Sequence, residues 1–448
     1  MTSFDQSLPL IVDLVADAWG SDAVARNLFL RDALGRLTLI VLEPSRTGAE
    51  REKLSEKVNA QLGGYADPSG ISVATPEELF DESLREDDVG MAFPIAGASF
   101  QGDVRVVDRR VVGADWLRRP GKESPAIPRL FFVSLKGGVG RSTALCVLAA
   151  HLAASGRRVL AIDMDLEAPG LGTMLLDKAT LPRFGLLDYL VETNLGEVAD
   201  GFLTDMLGSS QLSGGHGSIA VVPALGVLAN DNPLNVLGKL ARAYLPSEND
   251  PSLNSFTAKI EKLIERLTAA GAYDVVLVDA RAGLHESTAA AAVALQGDTL
   301  VFGMDQPQTY AGYRTLLAQQ ALTLGSDWTT RIHIVEAKAA AGGPSDEFIS
   351  NMIDILPGLH DPEPTFSIPM EDLRQTFDLE WDDSVSAEMM IDQEIDHTHI
   401  YESDAFARFD PLKHPDRLSK GMYAAVYGHF LQTCDNIIQS ADAIEERL

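Results

Sequence analysis

The stretch Ser134-Leu135-Lys136-Gly137-Gly138-Val139-Gly140-Arg141-Ser142-Thr143 constrains the fold more than any other part of the chain. It follows the apolar run Leu130-Phe131-Phe132-Val133 and precedes an apolar stretch from Ala144 to Leu152. That order reads as a strand, a glycine-rich loop and a helix. Such a unit gathers backbone N–H groups and a helix N-terminus around one anion, which is what a nucleotide phosphate requires. Two residues make the loop unusual. Lys136 stands early in it. Arg141 stands immediately before the Ser142 hydroxyl, where a phosphate-binding lysine is usual.

A lysine early in Lys-Gly-Gly-x-Gly-x-[Ser/Thr] is the deviant Walker A signature, and the loop resembles that of the ParA/MinD family of P-loop ATPases. The resemblance implies an ATP site with Mg²⁺. It implies that Lys136 reaches across a homodimer interface to the partner's nucleotide and that Ser142 ligates Mg²⁺. Gly137, Gly138 and Gly140 would let the backbone approach the phosphates. Val139, Arg141 and Thr143 would complete the nucleotide-binding loop. Arg141 departs from the family, which mostly carries lysine there. Arginine keeps the charge and can fork onto phosphate oxygens, but it is longer and planar. Binding is expected to survive the exchange; the rate of hydrolysis is left open. A bacterial branch of ParA-like proteins shares the spelling Lys-Gly-Gly-Val-Gly-Arg, a resemblance that points to regulatory or anti-phage conflict systems.

From residue 129 onward apolar strands alternate with helical stretches. Strands are expected at Leu130–Val133, Val159–Ile162, Ile219–Val222, Val275–Val278, Leu300–Gly303 and Ile332–Val335. Helices are expected at Phe256–Ala269, Tyr310–Leu322 and, as one long element, Leu418–Ala443 with an apolar face at Met422, Val426, Phe430 and Ile437. The pattern predicts an α/β fold with a doubly wound, mostly parallel sheet of the P-loop NTPase type over residues 126–448. Residues 1–125 read as a small separate α/β domain. It would hold a strand at Leu37–Leu42, a helix at Ala49–Leu62 ended by Gly63-Gly64, and a strand or hairpin built from Val104–Val107 and Arg110–Val112. Arg118 to Pro125 reads as a linker.

Acidic residues end two of the strands, where open α/β sheets bind ligands. The second strand runs into Asp163-Met164-Asp165-Leu166-Glu167. By the family resemblance Asp163 would sit near Mg²⁺, Asp165 would orient the attacking water, and Ala168 to Gly172 would form a switch sensing the γ-phosphate. Tyr273-Asp274-Val275-Val276-Leu277-Val278-Asp279 matches a Walker B strand, with Asp279 in the Mg²⁺ shell. The family's usual Asp-x-Pro-Pro-Gly is here Asp279-Ala280-Arg281-Ala282-Gly283, without the prolines. Arg281 could reach a phosphate or pair with a switch carboxylate such as Glu167; a plain surface salt bridge is the equal alternative. Pro369, in Ile368-Pro369-Met370, resembles the family's late loop bordering the base. The asparagine expected after Ile332–Val335 is replaced by Glu336-Ala337-Lys338, which leaves base preference open.

The formal net charge is −29. Such a charge repels nucleic acid and anionic lipid overall, so nucleic-acid binding and plasmid partitioning are disfavoured readings. The stretch holding Arg105, Arg109, Arg110, Arg118, Arg119, Lys122 and Arg129 reads first as a solvated, salt-bridged face and second as a docking surface. The two cysteines, Cys146 and Cys434, suggest a reducing, cytoplasmic setting. A signal peptide, a membrane span of about 18 apolar residues and a basic C-terminal membrane helix are all unexpected. An acidic insertion at about 371–410 contains Asp392, Glu394, Asp396, His397 and His399; a solvated loop is favoured over a metal site, with a lid or partner-docking segment as the other alternative. The expected function is an ATP-dependent dimerisation switch whose output passes to an unknown protein through residues 1–125 or this insertion. The alternative is a nucleotide-sensing regulator with little turnover.

Overall fold

The computed structural model describes residues 2–43, 46–86, 89–121, 125–324, 329–343, 345–355 and 397–445. These fall into two compact units, one up to Leu117 and one from Arg118 onward. Pro369 and residues 371–396 of the acidic stretch lie outside the described residues.

The first unit carries a five-stranded mixed sheet. Its strands are β1 (Leu28–Arg31), β2 (Leu37–Ile40), β3 (Val73–Ala74), β4 (Met91–Ala96) and β5 (Gln101–Asp108), in the order β3-β2-β1-β5-β4. Helices α1 (Phe4–Trp19), α2 (Ser21–Arg26) and α3 (Gly48–Leu62) complete it. Leu8, Ile11, Val12 and Val15 recur at helical spacing on α1 and are buried with Phe29, Leu39, Val58 and Val106. Asp13, which interrupts the apolar run in the sequence, has a tertiary task. Its carboxylate accepts the N–H groups of Ala98, Ser99 and Phe100 at 2.8–3.1 Å and so holds the turn between β4 and β5. The expected hairpin is corrected in one respect. β5 pairs antiparallel with β4 rather than with Arg110–Val112, and Val111 and Val112 are exposed. The sequence around Met91 carried a proline, Pro94, which masked β4; Pro94 is accommodated because β4 is the edge strand.

The second unit is built on eight strands: β6 (Arg129–Ser134), β7 (Arg158–Asp163), β8 (Gly208–Ser209), β9 (Ser218–Val222), β10 (Val275–Asp279), β11 (Asp298–Gly303), β12 (Ile332–Ala339) and β13 (His397–Tyr401). Their order is β13-β12-β11-β6-β10-β7-β9-β8, and every pair is parallel except β8–β9. This is the doubly wound α/β fold. β6 and β10 are buried along their whole length, as central strands covered on both faces are. After β6 the chain leaves to one side, to β7, and later returns to the other, to β11. The carboxyl end of β6 therefore lies at the topological switch point, where open α/β sheets bind ligands.

Helix α4 (Arg141–Ala154) follows the loop and is buried on nearly every side. It packs with the long helix Lys420–Glu445, whose Tyr423, Tyr427, Phe430, Leu431, Cys434 and Ile438 are buried in the same core. Of the face the sequence suggested, Phe430 and Ile437 are buried and Val426 packs against the core. Met422 is exposed, and two tyrosines carry the first turns. Phe430 packs against the rings of Phe132 and Phe302 at 6.3 and 5.9 Å. The histidines of the acidic stretch belong to this scaffold. His399 lies on β13, buried and stacked on His429 at 4.6 Å, and Thr398 hydrogen-bonds the His429 ring at 2.8 Å. Among the described residues no helix is long and apolar enough to cross a membrane.

Candidate functional site

The site forms where β6, β7 and β10 end side by side. In the parallel register Asp279 is level with Asp163 of β7 and Phe132 of β6. Two carboxylates are thereby brought together at the foot of the glycine loop. Gly138 and Gly140 adopt φ +78° and +95°, values that suit glycine alone without strain. A methyl group built at Gly137, Gly138 or Gly140 would meet no protein atom within 4 Å, so this side of the loop is open. α4 starts at Arg141, and the first amides of a helix have no intrahelical acceptor. Val139 turns its side chain into the core; Thr143 is half-buried.

Arg141 does not point at the open side. Its guanidinium is buried and forks over three acceptors: Nε donates to Asp279 Oδ1 at 2.5 Å, Nη1 to Ser134 Oγ at 2.9 Å and Nη2 to Asp165 Oδ2 at 3.5 Å. Ser142 Oγ donates to the other oxygen of Asp279 at 2.5 Å. Asp163 is wholly buried and holds the chain that follows it. Its Oδ1 accepts the Asp165 N–H, and its Oδ2 accepts those of Gly170 and Leu171, at 3.0–3.2 Å. Burial, and then the charge of Asp279, push its carboxyl up to about 8. Burial also raises Asp165, which accepts the Ala168 N–H at 3.1 Å. The structure thus brings Arg141, Ser142, Asp163, Asp165 and Asp279 into one cluster.

Lys136 stands outside this cluster. It is exposed and donates to Gln306 Oε1 at 2.9 Å. A small hollow beside it is lined by Leu135, Val139, Gly303, Thr309 and Tyr313. Arg281 pairs with Glu167, Nη1 lying 3.0 Å from Glu167 Oε1. Tyr244 and His285 join the same carboxylate, at 2.9 and 3.7 Å. Sequence reasoning missed both; Tyr244 lies 77 residues from Glu167 and carries no local signal. Glu336, within β12, is buried and accepts the Ser345 N–H at 2.8 Å.

The donor set suits a nucleotide with a hard divalent cation. A hydroxyl and carboxylate oxygens lie together below an open glycine loop, the arrangement by which Mg²⁺ is held through one or two protein oxygens plus phosphates. Among the described residues no group of three or more His, Cys, Asp or Glu side chains forms an all-protein metal cage.

Residues 130–446 match the model of the CobQ/CobB/MinD/ParA nucleotide binding domain. No curated protein matches the chain. Solved structures resembling it include a ParA family ATPase from Chlorobium tepidum TLS, 18% identical over 51% of this chain and 81% of that one, with a TM-score of 0.35. Apo McdA from Cyanothece is 16% identical over 70% and 99% of the two chains, with a TM-score of 0.41. The MinC:MinD cell division complex of Aquifex aeolicus is 16% identical over 71% and 95%, with a TM-score of 0.40. The family model spans well over half of the 448 residues, and on that match the chain belongs to the CobQ/CobB/MinD/ParA family of nucleotide-binding domains.

Proposed function

We propose that the chain is an ATP-binding, Mg²⁺-dependent ATPase switch of the deviant Walker A type. It dimerises around its nucleotides and passes the bound state to a protein partner. The observation that carries the reading is the junction of Ser142 and Asp279 beneath the glycine loop, 2.5 Å apart. Mg²⁺ at this site would supply neutralisation of phosphate charge. Ser142 and Asp279 would hold it, with Asp163 close behind. Gly137, Gly138, Gly140 and the first turn of α4 would bind the phosphates through backbone N–H groups. Asp165 would orient a water, a positioning task that a carboxylate performs without strong basicity. Lys136, exposed at the rim, is free to leave Gln306 for a nucleotide held by a second copy.

The partner would dock through residues 1–125 or the acidic stretch, and the arginine-loop spelling supports a bacterial regulatory or anti-phage setting. A second reading, a nucleotide sensor with little turnover, draws on Arg141. That side chain is engaged by Asp279, Ser134 and Asp165 instead of facing the open loop. Equilibrium binding of ATP with and without Mg²⁺ tests the first reading. Ser142→Ala is expected to remove most of the Mg²⁺-dependent gain in affinity, about tenfold or more, and to leave Mg²⁺-free binding nearly unchanged. Equal affinity of the two proteins with Mg²⁺ would count against it. If Arg141→Lys raises turnover, Arg141 is a brake and the sensor reading gains.

A further inference from the structure

Glu167 is the handle of the segment that carries Asp165. Asp165 is oriented by two contacts, the Ala168 N–H at 3.1 Å and Arg141 Nη2 at 3.5 Å. The shorter of them comes from the residue next to Glu167. Fixing Glu167 therefore fixes the N–H that aims Asp165.

Three side chains from distant parts of the chain converge on Glu167 Oε1. Tyr244 OH donates at 2.9 Å, Arg281 Nη1 at 3.0 Å, and His285 Nε2 lies at 3.7 Å. Glu167 Oε2 is buried without a protein donor. Tyr244 and Arg281, the two that come within 3.0 Å, are braced. Tyr244 stacks on Phe256 at 5.3 Å and meets the His285 ring edge-on at 5.2 Å. Burial and the Glu167 charge raise its phenol, which keeps it a donor. The Arg281 loop is closed by Thr288 Oγ, which donates to the carbonyls of Arg281 and Gly283 at 2.9 and 2.7 Å. The Gly283 N–H donates to Ser134 O at 2.9 Å, and Ser134 Oγ receives Arg141. A closed path thus runs from the end of β6 through Arg281 and Glu167 to Ala168 and Asp165. A surface salt bridge has neither this bracing nor this second function.

We infer that Arg281 and Tyr244 are positioning residues that act through Glu167 to hold Asp165 in its working orientation. The inference rests on the role proposed above for Asp165. It predicts an effect on the chemical step and on the order of one segment, not on nucleotide affinity.

The experiment compares full-length wild type with Arg281→Ala, Arg281→Lys, Tyr244→Phe, Glu167→Gln and the double variant Arg281→Ala/Glu167→Gln. It measures single-turnover ATP hydrolysis, equilibrium ATP binding with Mg²⁺, and amide hydrogen exchange. Arg281→Ala and Glu167→Gln are each expected to slow hydrolysis about tenfold while affinity stays within about threefold. The double variant should be no slower than the worse single one. Arg281→Lys, which can still offer one donor, should recover most of the rate. Amides 165–171 should exchange about tenfold faster in the alanine and glutamine variants, with β6 and β10 unchanged. Tyr244→Phe loses one hydroxyl and tests the path even where a larger change impairs folding. Unchanged rates in folded variants, multiplying effects in the double variant, or unchanged exchange at 165–171 would overturn the inference. If wild type binds ATP without turnover, the ATPase reading fails by itself, and exchange alone decides: faster exchange at 165–171 upholds the clasp and unchanged exchange overturns it.

Discussion

Arg141 ties the polar groups of the site together. Asp279 is buried at the end of β10, and Arg141 is the cation that pairs with it. A lysine offers one point charge; the arginine fork reaches Asp279, Ser134 and Asp165 together. Arg141→Ala should therefore destabilise the nucleotide-free protein by about 3–5 kcal/mol, because it strands buried charge. Arg141→Lys should cost less. Urea unfolding with a linear extrapolation measures both, and an alanine variant as stable as wild type would contradict this role. Asp163 gives a pH prediction. Burial and the charge of Asp279 push its carboxyl up to about 8 from the ordinary 3.8. Between those values the native state keeps a proton that the unfolded chain has released, so this residue's contribution to stability falls as pH rises. The urea midpoint should decline from about pH 4 to about pH 8, and Asp163→Asn should flatten the decline. A steeper decline in the variant would contradict the assignment.

Among the elements, those with a simple local period were legible. The strand, loop and helix around residues 130–152 needed only apolar runs and three glycines, and the helix near the C-terminus showed its 3.6-residue period. Its buried face was legible only in part, because Tyr423 and Tyr427 bury their rings while Met422 does not. β4 escaped notice because Pro94 argues against a strand unless it lies at an edge, and edges are not written in sequence. In the site, residues adjacent to the loop or at strand ends could be named in advance. The direction of Arg141 could not, since it depends on strand register, and Tyr244 and His285 reach Glu167 only through tertiary packing. Phe430→Ala should cost about 3–5 kcal/mol, because a fully buried ring touching Phe132 and Phe302 is lost. Leu234→Ala, on a residue 96% exposed, should stay within about 0.5 kcal/mol. Chemical denaturation distinguishes the two, and similar costs would mean that the helix Lys420–Glu445 is not part of the core.

At the scale of the whole molecule, charge argues against a DNA-partitioning role for the proposed switch. With a net charge of −29, long-range attraction to a polyanion is absent. Retention on nonspecific DNA should be weak and nearly independent of salt between about 50 and 200 mM, since few phosphates are neutralised. Strong retention that falls steeply with salt would reopen the partitioning reading. The central claim is that two copies complete each other's sites through Lys136. The most direct measurement is the ATP hydrolysis rate per protein molecule, with Mg²⁺, as protein concentration is raised. The account predicts a specific rate that climbs with concentration and vanishes in Lys136→Ala, while that variant still binds ATP. A specific rate independent of concentration, or one that survives Lys136→Ala, would contradict it.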